Sequence, residues 1–249
     1  MHKMLCPEPD SFSQSGLDFA RKITDLTAVK LTQSEFNQHA SKYDAVLIRF
    51  NTKVSSDLLN KKSNIKAIIS PTTGLDHIDL TAAKNNGVRV FHLYGEKNFL
   101  KTISGTAELT IGLMISILRK IPQSFDSVKE GIWDAGFFRG SELSGKTLGI
   151  IGCGRLGTKV SRAAIALGMK VVSYDPFISR FPAKVISKTS QLEVFLEADI
   201  VSLHVPLLPE TIHLIGEDEI NQMKNGVVII NTSRGAIIKS QSLISGLKK

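Results

Sequence analysis

The feature that most constrains the fold of this chain is a glycine-rich turn between two strand patterns. The segment LGIIGCGRLG places Gly152, Gly154 and Gly157 directly after a short apolar run, and a helical pattern, RLGTKVSRAAIALG, follows. A second strand pattern, KVVSY, ends just before Asp175. Strand, glycine turn, helix, strand and acid in this order and spacing are typical of a βαβ unit that binds a dinucleotide.

Each residue of this fingerprint has a mechanical reason. Gly152 permits the tight turn, Gly154 lets the backbone approach a pyrophosphate, and Gly157 lets the helix pack closely on the strand. The N–H groups and the partial positive charge of the helix N-terminus attract the phosphates. Asp175 would accept hydrogen bonds from the adenosine ribose hydroxyls and would repel a 2′-phosphate, so NAD is predicted rather than NADP.

Composition and charge exclude several classes of function. The formal charge of +8 comes from 31 basic and 23 acidic side chains. The basic residues are dispersed, with no interleaved aromatics, so no nucleic-acid-binding arm is predicted. Two cysteines, Cys6 and Cys153, do not make a disulfide framework or a metal cluster, and we interpret Cys153 as a small buried filler.

The sequence also predicts a cytoplasmic protein. No stretch approaches the roughly 20 consecutive apolar residues that a membrane helix needs. The N-terminus, MHKMLCPEPDSF, has no long apolar run of the kind that a signal peptide contains. We therefore expect neither membrane insertion nor secretion.

Hydrophobic periodicity predicts an α/β protein with two domains, 1–100 and 101–249. In the first, strand patterns at 44–50, 65–70 and 88–93 alternate with helix patterns, VSSDLLNKK at 54–62 and LTAAKNNG at 80–87. The second opens with a long apolar helix over 104–121 that we expect to be buried between domains or between subunits. Pro122 is expected to end or kink it. Strands follow at 148–151, 170–174, 198–205 and 226–231. This alternation predicts parallel sheets covered on both faces.

Several further segments make the chain similar to a known family, the D-isomer-specific 2-hydroxyacid dehydrogenases. They are, in order, SPTTGLDHIDL, GTAELTIGLMISILRKIP, GKTLGIIGCGRLG, SYDP, SLHVPLLPETIHLI and MKNGVVIINTSRGAII. The resemblance runs from about Tyr43 to the last residue and is nearest to members related to phosphoglycerate dehydrogenase. It implies two doubly wound parallel-sheet domains: a flavodoxin-like substrate domain and a Rossmann NAD-binding domain. It also implies hydride transfer between a small 2-hydroxy acid and its 2-oxo acid.

The resemblance implies a role for each matching residue. The substrate would be bound by Thr72, Thr73, Gly74 and Arg234. The cofactor would be bound by Thr73, Thr106, Gly152, Gly154, Arg155, Leu156, Gly157, Asp175, His204, Val205, Pro206, Thr232 and Ser233. Arg234 would be the catalytic residue. A permanently charged guanidinium can hold the carboxylate and the 2-oxo oxygen in a fork, and it stabilises the alkoxide-like charge that hydride transfer creates.

Members of the family also use a histidine, oriented by a glutamate, for proton transfer, and these lie roughly thirty and fifty residues beyond the arginine. Only fifteen residues follow Arg234 here (249 − 234 = 15). None of the chain's histidines occupies a matching position; they are His2, His39, His77, His92, His204 and His213. The sequence therefore predicts a C-terminally truncated chain, with a Rossmann domain that lacks its last strands and with little turnover of its own.

Two function hypotheses follow from the sequence. The first is an NAD-dependent 2-hydroxyacid dehydrogenase, impaired in this chain. The second is a non-catalytic NAD-binding or interaction protein, like the corepressors called C-terminal-binding proteins, which resemble the same family. The long helix and the arm at 122–143 resemble the family's dimer-forming region, which implies a homodimer. Trp133, Phe137 and Phe138 are candidate interface anchors there.

Overall fold

A computed structural model describes residues 1–248 of the chain. It divides into two compact units, Met1–Leu100 (unit 1) and Lys101–Lys249 (unit 2). Each unit carries its own five-stranded sheet. The α/β fold class predicted from the alternating patterns is therefore confirmed.

Unit 1 alternates strands and helices around one parallel sheet. Its strands are β1 (Lys3–Cys6), β2 (Asp25–Ala28), β3 (Ala45–Leu47), β4 (Ala67–Ser70) and β5 (Arg89–His92). Its helices are α1 (Gln14–Ile23), α2 (Gln33–His39) and α3 (Leu80–Asn85), and α4 (Lys97–Thr102) spans the division between the units. The strand order is β2-β1-β3-β4-β5, with every pairing parallel, which is the flavodoxin-like doubly wound order.

Both faces of the unit 1 sheet are covered. Successive residues of a strand point to opposite faces, and the buried residues of β1 divide accordingly. Leu5 packs into a cluster with Val46 and Ile68, whereas Met4 and Cys6 pack into a separate cluster on the other face. Burial raises the pKa of the Cys6 thiol to about 11, so this cysteine is a packed, protonated core residue.

The helix predicted over 54–62 is wrong. Val54 instead forms a bridge with Ile78, and this pairing holds the start of the segment in an extended conformation. Consecutive turns follow, in which the Leu58 N–H donates to the Ser55 carbonyl at 3.2 Å. The Asn60 side chain then donates to the carbonyl of Asp57 at 2.6 Å, so a side chain takes the place that a continuing helix would give to a backbone N–H.

Unit 2 has the second parallel sheet. Its strands are β6 (Thr147–Ile151), β7 (Lys170–Tyr174), β8 (Val185–Ser187), β9 (Ile200–Leu203) and β10 (Val228–Asn231). Its helices are α5 (Gly105–Leu118), α6 (Ile121–Lys129), α7 (Arg155–Ala166), α8 (Gln191–Glu197), α9 (Glu217–Gln222) and α10 (Ser240–Gly246). The order β10-β9-β6-β7-β8 places β6 and β9 side by side at the point where the chain reverses direction across the sheet. Ligands of doubly wound sheets bind outside the carboxyl ends of the strands at such a switch point.

The long apolar helix ends differently from the prediction. Helix α5 ends at Leu118 and Lys120 adopts a left-handed conformation (φ 53°), so the chain turns before the proline. Pro122 lies in the first turn of α6, where a missing N–H costs nothing. Helix α5 buries Met114 and exposes Leu113 and Ile117, so the burial expected on most of its sides is not reached within the single chain.

Along residues 1–248, none of the helices combines the length and the apolar character required to cross a bilayer.

Candidate functional site

The glycines of the fingerprint are required by close contacts in the structure. Gly152 follows β6 with φ +89°, and a Cβ atom there would lie 2.9 Å from the His204 carbonyl oxygen. A Cβ atom on Gly157 would lie 2.2 Å from the carbonyl oxygen of Gly152. Neither backbone atom can move without shifting the sheet, so the turn and the packing of α7 both depend on the missing side chains.

Gly154 differs from the other two because its Cα faces open space. A Cβ atom on Gly154 would meet no described atom within 4 Å. Gly154 is also the N-cap residue of α7, and within residues 1–248 no side chain caps that helix end. Free N–H groups beside an open cradle are what a pyrophosphate needs, so the geometry fits the dinucleotide implied by the sequence.

Asp175 holds the fingerprint turn through two backbone N–H groups. Its Oδ2 atom accepts a hydrogen bond from the Cys153 N–H at 2.9 Å, and Oδ1 accepts one from the Phe177 N–H at 2.9 Å. Each carboxylate oxygen has a second lone pair, so both can still accept from ribose hydroxyls. Cys153 itself is buried in the core beneath the turn, in agreement with its interpretation as a filler.

The first turn of α7 carries Arg155 and Leu156. The Arg155 guanidinium donates to the carbonyl of Ile103 at 2.9 Å, while Leu156 is half-buried against the core of the unit. The structure thus separates the two neighbours that were predicted to meet the pyrophosphate. Arg155 offers a charged group at the helix end, and Leu156 packs inward.

The segment after β9 brings His204, Val205 and Pro206 to the same switch point. The His204 N–H donates to the Ile151 carbonyl at 2.8 Å, and His204 Nε2 lies 2.9 Å from the Ser202 hydroxyl. Burial lowers the pKa of His204 to about 4, so its imidazole is neutral at physiological pH. Such a histidine can line a cofactor pocket, but its pKa is far from the neutral range that suits a general base.

Helix α5 is tied to the loop after β10 through a chain of hydroxyl groups. Thr110 donates to the Thr106 carbonyl at 2.8 Å, and its oxygen lies 2.9 Å from the hydroxyl of Thr232. Since the single proton of Thr110 is directed to Thr106, Thr232 is the donor in the second bond. Thr110 is fully buried and was missed by sequence reasoning, because its partner is 122 residues away.

The NTSRG loop presents Arg234 on a rigid frame. Asn231 accepts from the Ser233 N–H at 3.0 Å and donates from its amide to the Arg234 carbonyl at 2.9 Å. Ser233 Oγ donates to the carbonyl of Leu203 at the end of β9. One asparagine side chain therefore closes the loop, and one serine attaches it to the neighbouring strand.

In unit 1, the SPTTG loop is held by a network of side chains. The Ser70 hydroxyl lies 2.9 Å from Thr72 Oγ1 and 3.0 Å from Nε2 of the buried His77. Thr72 Oγ1 donates to the Gly74 carbonyl at 2.8 Å. Thr73, between them, is exposed. Of the predicted substrate residues, Thr72 has its side chain within this network, whereas Thr73 is exposed and Gly74 is partly exposed.

Glu8 and Arg49 were missed by sequence reasoning. They follow β1 and β3, the two strands at the switch point of unit 1. The buried Glu8 carboxylate accepts from the Arg49 N–H at 2.7 Å and from the Ser11 hydroxyl at 3.1 Å. Arg49 is partly buried and donates to the Ser11 carbonyl. A fold-level signal existed, since both residues directly follow apolar runs that become adjacent strands.

The predicted site residues thus fall into two groups. Unit 2 brings together the fingerprint, Asp175, the His204 segment and the Thr232–Arg234 loop at one edge of its sheet. Unit 1 carries residues 72–74 at the carboxyl end of β4. Among residues 1–248, no cluster of three or more histidine, cysteine or acidic side chains has the arrangement of a metal site.

Comparison with known proteins identifies the family. Residues 111–249 match the family described as D-isomer specific 2-hydroxyacid dehydrogenase, NAD binding domain. The D-3-phosphoglycerate dehydrogenase of Archaeoglobus fulgidus is 39% identical over 250 residues, which cover 99% of this chain and 46% of that protein. The hydroxypyruvate reductase of Thermotoga maritima is 37% identical over 221 residues, 88% of this chain and 70% of that protein.

Solved structures agree with this assignment. The D-lactate dehydrogenase of Aquifex aeolicus, complexed with NAD and lactic acid, has a TM-score of 0.82 and 29% sequence identity, covering 99% of this chain and 73% of that chain. The chain spans about half the length of the phosphoglycerate dehydrogenases that it matches. The match over residues 111–249 confirms NAD as the predicted cofactor, and the chain belongs to the D-isomer-specific 2-hydroxyacid dehydrogenase family.

Proposed function

We propose that this protein interconverts a small 2-hydroxy acid and its 2-oxo acid by NAD-dependent hydride transfer. The observation that carries the proposal is the frame around Arg234. Asn231 and Ser233 fix the loop of this arginine to the sheet edge that also carries the dinucleotide fingerprint. A substrate oxygen bound by Arg234 would therefore lie on the cofactor's side of the sheet.

The chemistry of the arginine suits the proposed reaction. Bound NAD supplies the hydride acceptor or donor. As a 2-oxo acid is reduced, negative charge develops on its C2 oxygen, and a positioned guanidinium stabilises that charge. The same group can hold the substrate carboxylate through a second N–H. For unit 1, we propose separately that its SPTTG loop binds a carboxylate through the backbone N–H groups of Thr73 and Gly74.

The substrate class is proposed from the family. Relatives are named for D-3-phosphoglycerate, hydroxypyruvate and D-lactate, all small acids with a 2-hydroxy or 2-oxo group. A net charge of +8 favours anionic ligands of this kind at low ionic strength.

We infer that proton transfer is the weakest step of the 249-residue chain on its own. Among the described histidines, His204 lies at the cofactor edge of unit 2, and burial keeps its pKa near 4. A general acid–base group works best with a pKa near the operating pH. The chain therefore offers cofactor binding and charge stabilisation more readily than a complete proton relay.

A non-catalytic NAD-binding or interaction protein is the second candidate. The low pKa of His204 favours it, because so weak a base contributes little to proton transfer near neutral pH. An extensive exposed apolar surface also favours a partner-binding role, with Trp133 87% and Phe137 76% exposed. Both candidates require NAD binding, whereas only the first requires turnover.

One experiment separates these candidates. NAD and NADH are titrated into the purified chain by calorimetry, and NADH oxidation is followed with pyruvate, hydroxypyruvate and glyoxylate. The dehydrogenase proposal expects NADH to bind and turnover, however slow, to fall at least about a hundredfold in Arg234→Lys, because a lysine cannot form the fork. The NADH affinity should change less than about twofold.

The outcomes are distinct. Turnover that survives in Arg234→Lys contradicts the role of the arginine. NADH binding without turnover for any 2-oxo acid supports the binding-protein candidate. If neither nucleotide binds, both candidates fail.

We also propose that the protein is a homodimer formed through α5, α6 and the arm after them. This surface exposes Leu109, Ile117, Phe125, Trp133 and Phe137. Large apolar side chains that are this exposed in neighbouring segments of the chain are a feature of interaction surfaces. Light scattering on the wild type and on Trp133→Glu should give a dimer and a monomer, respectively; two monomers would contradict the proposal.

A further inference from the structure

Lys159 makes an unusually complete set of hydrogen bonds with the start of unit 2. Its Nζ atom donates to the carbonyl oxygens of Lys101 at 2.9 Å and Ile103 at 3.0 Å, and to Ser104 Oγ at 2.7 Å. An ammonium group has three N–H donors, so all three are engaged. Lys159 thereby fixes residues 101–104, hereafter the entry segment, against α7.

Two features of the entry segment suit the ammonium group of Lys159. Ser104 is the N-cap residue of α5, but its hydroxyl does not cap that helix and is bonded to Lys159 instead. The carbonyl groups of Lys101 and Ile103 lie at and just beyond the end of α4, where the negative end of a helix favours a cation. Removing the ammonium would take this charged donor from the Lys101 carbonyl and the Ser104 hydroxyl. The Ile103 carbonyl would keep only its bond from Arg155 among these two cations.

Arg155 shares one acceptor with Lys159. It lies one turn earlier on α7, on the same face, and its guanidinium donates to the Ile103 carbonyl at 2.9 Å. The Ile103 carbonyl therefore receives one bond from each cation. Because the Ile103 carbonyl is held by Lys159, it is a fixed support for the Arg155 side chain at the N-terminus of the helix.

We propose that Lys159 is a positioning residue for the dinucleotide site. It immobilises the entry segment, and the Ile103 carbonyl then holds Arg155 beside the free N–H groups of α7, where the pyrophosphate binds. An arginine has five N–H donors, and its planar guanidinium suits phosphate oxygens. This inference rests on the proposed function, since it assumes that the fingerprint binds NAD.

The first test measures NAD affinity by calorimetry. Lys159→Met should raise the Kd for NAD about tenfold, because Arg155 loses its fixed support. Lys159→Arg, which can reach the same carbonyls, should restore affinity to within about threefold of the wild type. Arg162→Met, on the exposed side of α7, is the matched control for loss of one positive charge and should change the Kd less than twofold.

A double-mutant cycle shows whether Lys159 acts through Arg155. In an Arg155→Met background, adding Lys159→Met should change the Kd less than about twofold, since the side chain that Lys159 positions is absent. If the two effects multiply, Lys159 acts on the cofactor independently and the proposal is wrong. An unchanged or tighter Kd in Lys159→Met alone also overturns it.

Limited proteolysis gives a readout that does not need the cofactor. Trypsin cleaves after Lys101, which is exposed, and the entry segment must open for cleavage. Lys159→Met should accelerate this cleavage about tenfold and Ser104→Ala by a smaller factor, whereas Arg162→Met should not. Equal cleavage rates in all variants would contradict the role of Lys159 in holding the segment.

The tests also separate this inference from the proposed function. A wild-type chain that does not bind NAD refutes the proposed function. A wild-type chain that binds NAD, with the same Kd in Lys159→Met, refutes the positioning role alone. If Lys159→Met does not fold, the Lys159→Arg and Ser104→Ala chains decide, because the first keeps a cationic donor and the second keeps both carbonyl acceptors. A Kd and a cleavage rate that both stay at the wild-type values in Ser104→Ala then count against the proposal.

Discussion

Each unit has a candidate ligand-binding loop at the carboxyl end of a strand of its parallel sheet, but the two loops are held in different ways. In unit 2, the loop after β6 requires glycine at two positions, since a Cβ atom on Gly152 or Gly157 would lie within 3 Å of a backbone oxygen. In unit 1, the loop after β4 depends on side chains that are present, and Ser70 connects Thr72 with His77. The loop in unit 2 is thus held by close backbone contacts, and the loop in unit 1 is held by side-chain hydrogen bonds.

The difference suits the ligand group that each loop is proposed to bind. A pyrophosphate is bulky and is contacted by several successive N–H groups, so the backbone itself must come close and glycine is required. A carboxylate is smaller, and residues 72–74 need only an anchored turn. Both edges nevertheless contain a serine–histidine pair, Ser70 with His77 and Ser202 with His204.

The largest effect on stability is expected where a side chain is added at a close backbone contact in unit 2. Gly157→Ala should lower the free energy of unfolding by about 3 kcal/mol, because the new methyl group meets the Gly152 carbonyl at 2.2 Å. Gly154→Ala, with no described atom within 4 Å, should change it by less than about 0.5 kcal/mol. Chemical denaturation of both variants measures the contrast.

The same pair of variants separates folding from binding. Gly154→Ala should still weaken NAD binding about tenfold or more, because the methyl group occupies the space for the pyrophosphate. A folded Gly154→Ala chain with wild-type NAD affinity would contradict the proposed position of the cofactor. Equal destabilisation by both alanines would contradict the division of roles among the glycines.

A smaller effect on stability is expected where the side-chain hydrogen bonds of the unit 1 loop are removed. Ser70→Ala removes the common partner of Thr72 and His77 and should destabilise unit 1 by about 2 kcal/mol. Thr73→Ala, at an exposed position in the same loop, should cost less than about 0.5 kcal/mol. Hydrogen exchange at the Leu93 N–H, which donates to the Thr72 carbonyl, reports on this loop directly.

The comparison of these two variants tests the assigned mechanism. If exchange at Leu93 accelerates equally in Ser70→Ala and Thr73→Ala, the buried network does not hold the loop. Because the measurement is local, it does not require the two units to unfold in a single transition.

The sequence was sufficient for features that depend on local pattern. The glycine fingerprint and strands β7 and β10 lie within segments whose apolar runs and turn residues carry the signal, so their positions agree with prediction to within two residues. The segment at 54–62 failed, because its conformation depends on the pairing of Val54 with Ile78 rather than on the helical appearance of its own residues.

Long-range contacts limited prediction of the site. The Glu8 carboxylate meets a backbone N–H 41 residues away, and Thr110 meets a hydroxyl 122 residues away. Neither partner is visible until the strand order is known. The left-handed Lys120 that ends the long helix likewise has no local signal, since lysine is an ordinary helix former and only the following arm requires the turn.

A pH-dependent effect is expected at the serine–histidine pair of unit 2. Burial lowers the pKa of His204 from 6.5 to about 4, so between these values the unfolded chain takes up a proton that the folded chain does not. The free energy of unfolding should therefore fall as the pH decreases from 6.5 to 4. His204→Gln should make this pH dependence shallower, whereas His39→Gln, on the exposed side of α2, serves as the control. Urea denaturation at several pH values measures both, and parallel pH profiles for His204→Gln and the wild type would show that the histidine is not held neutral by the fold.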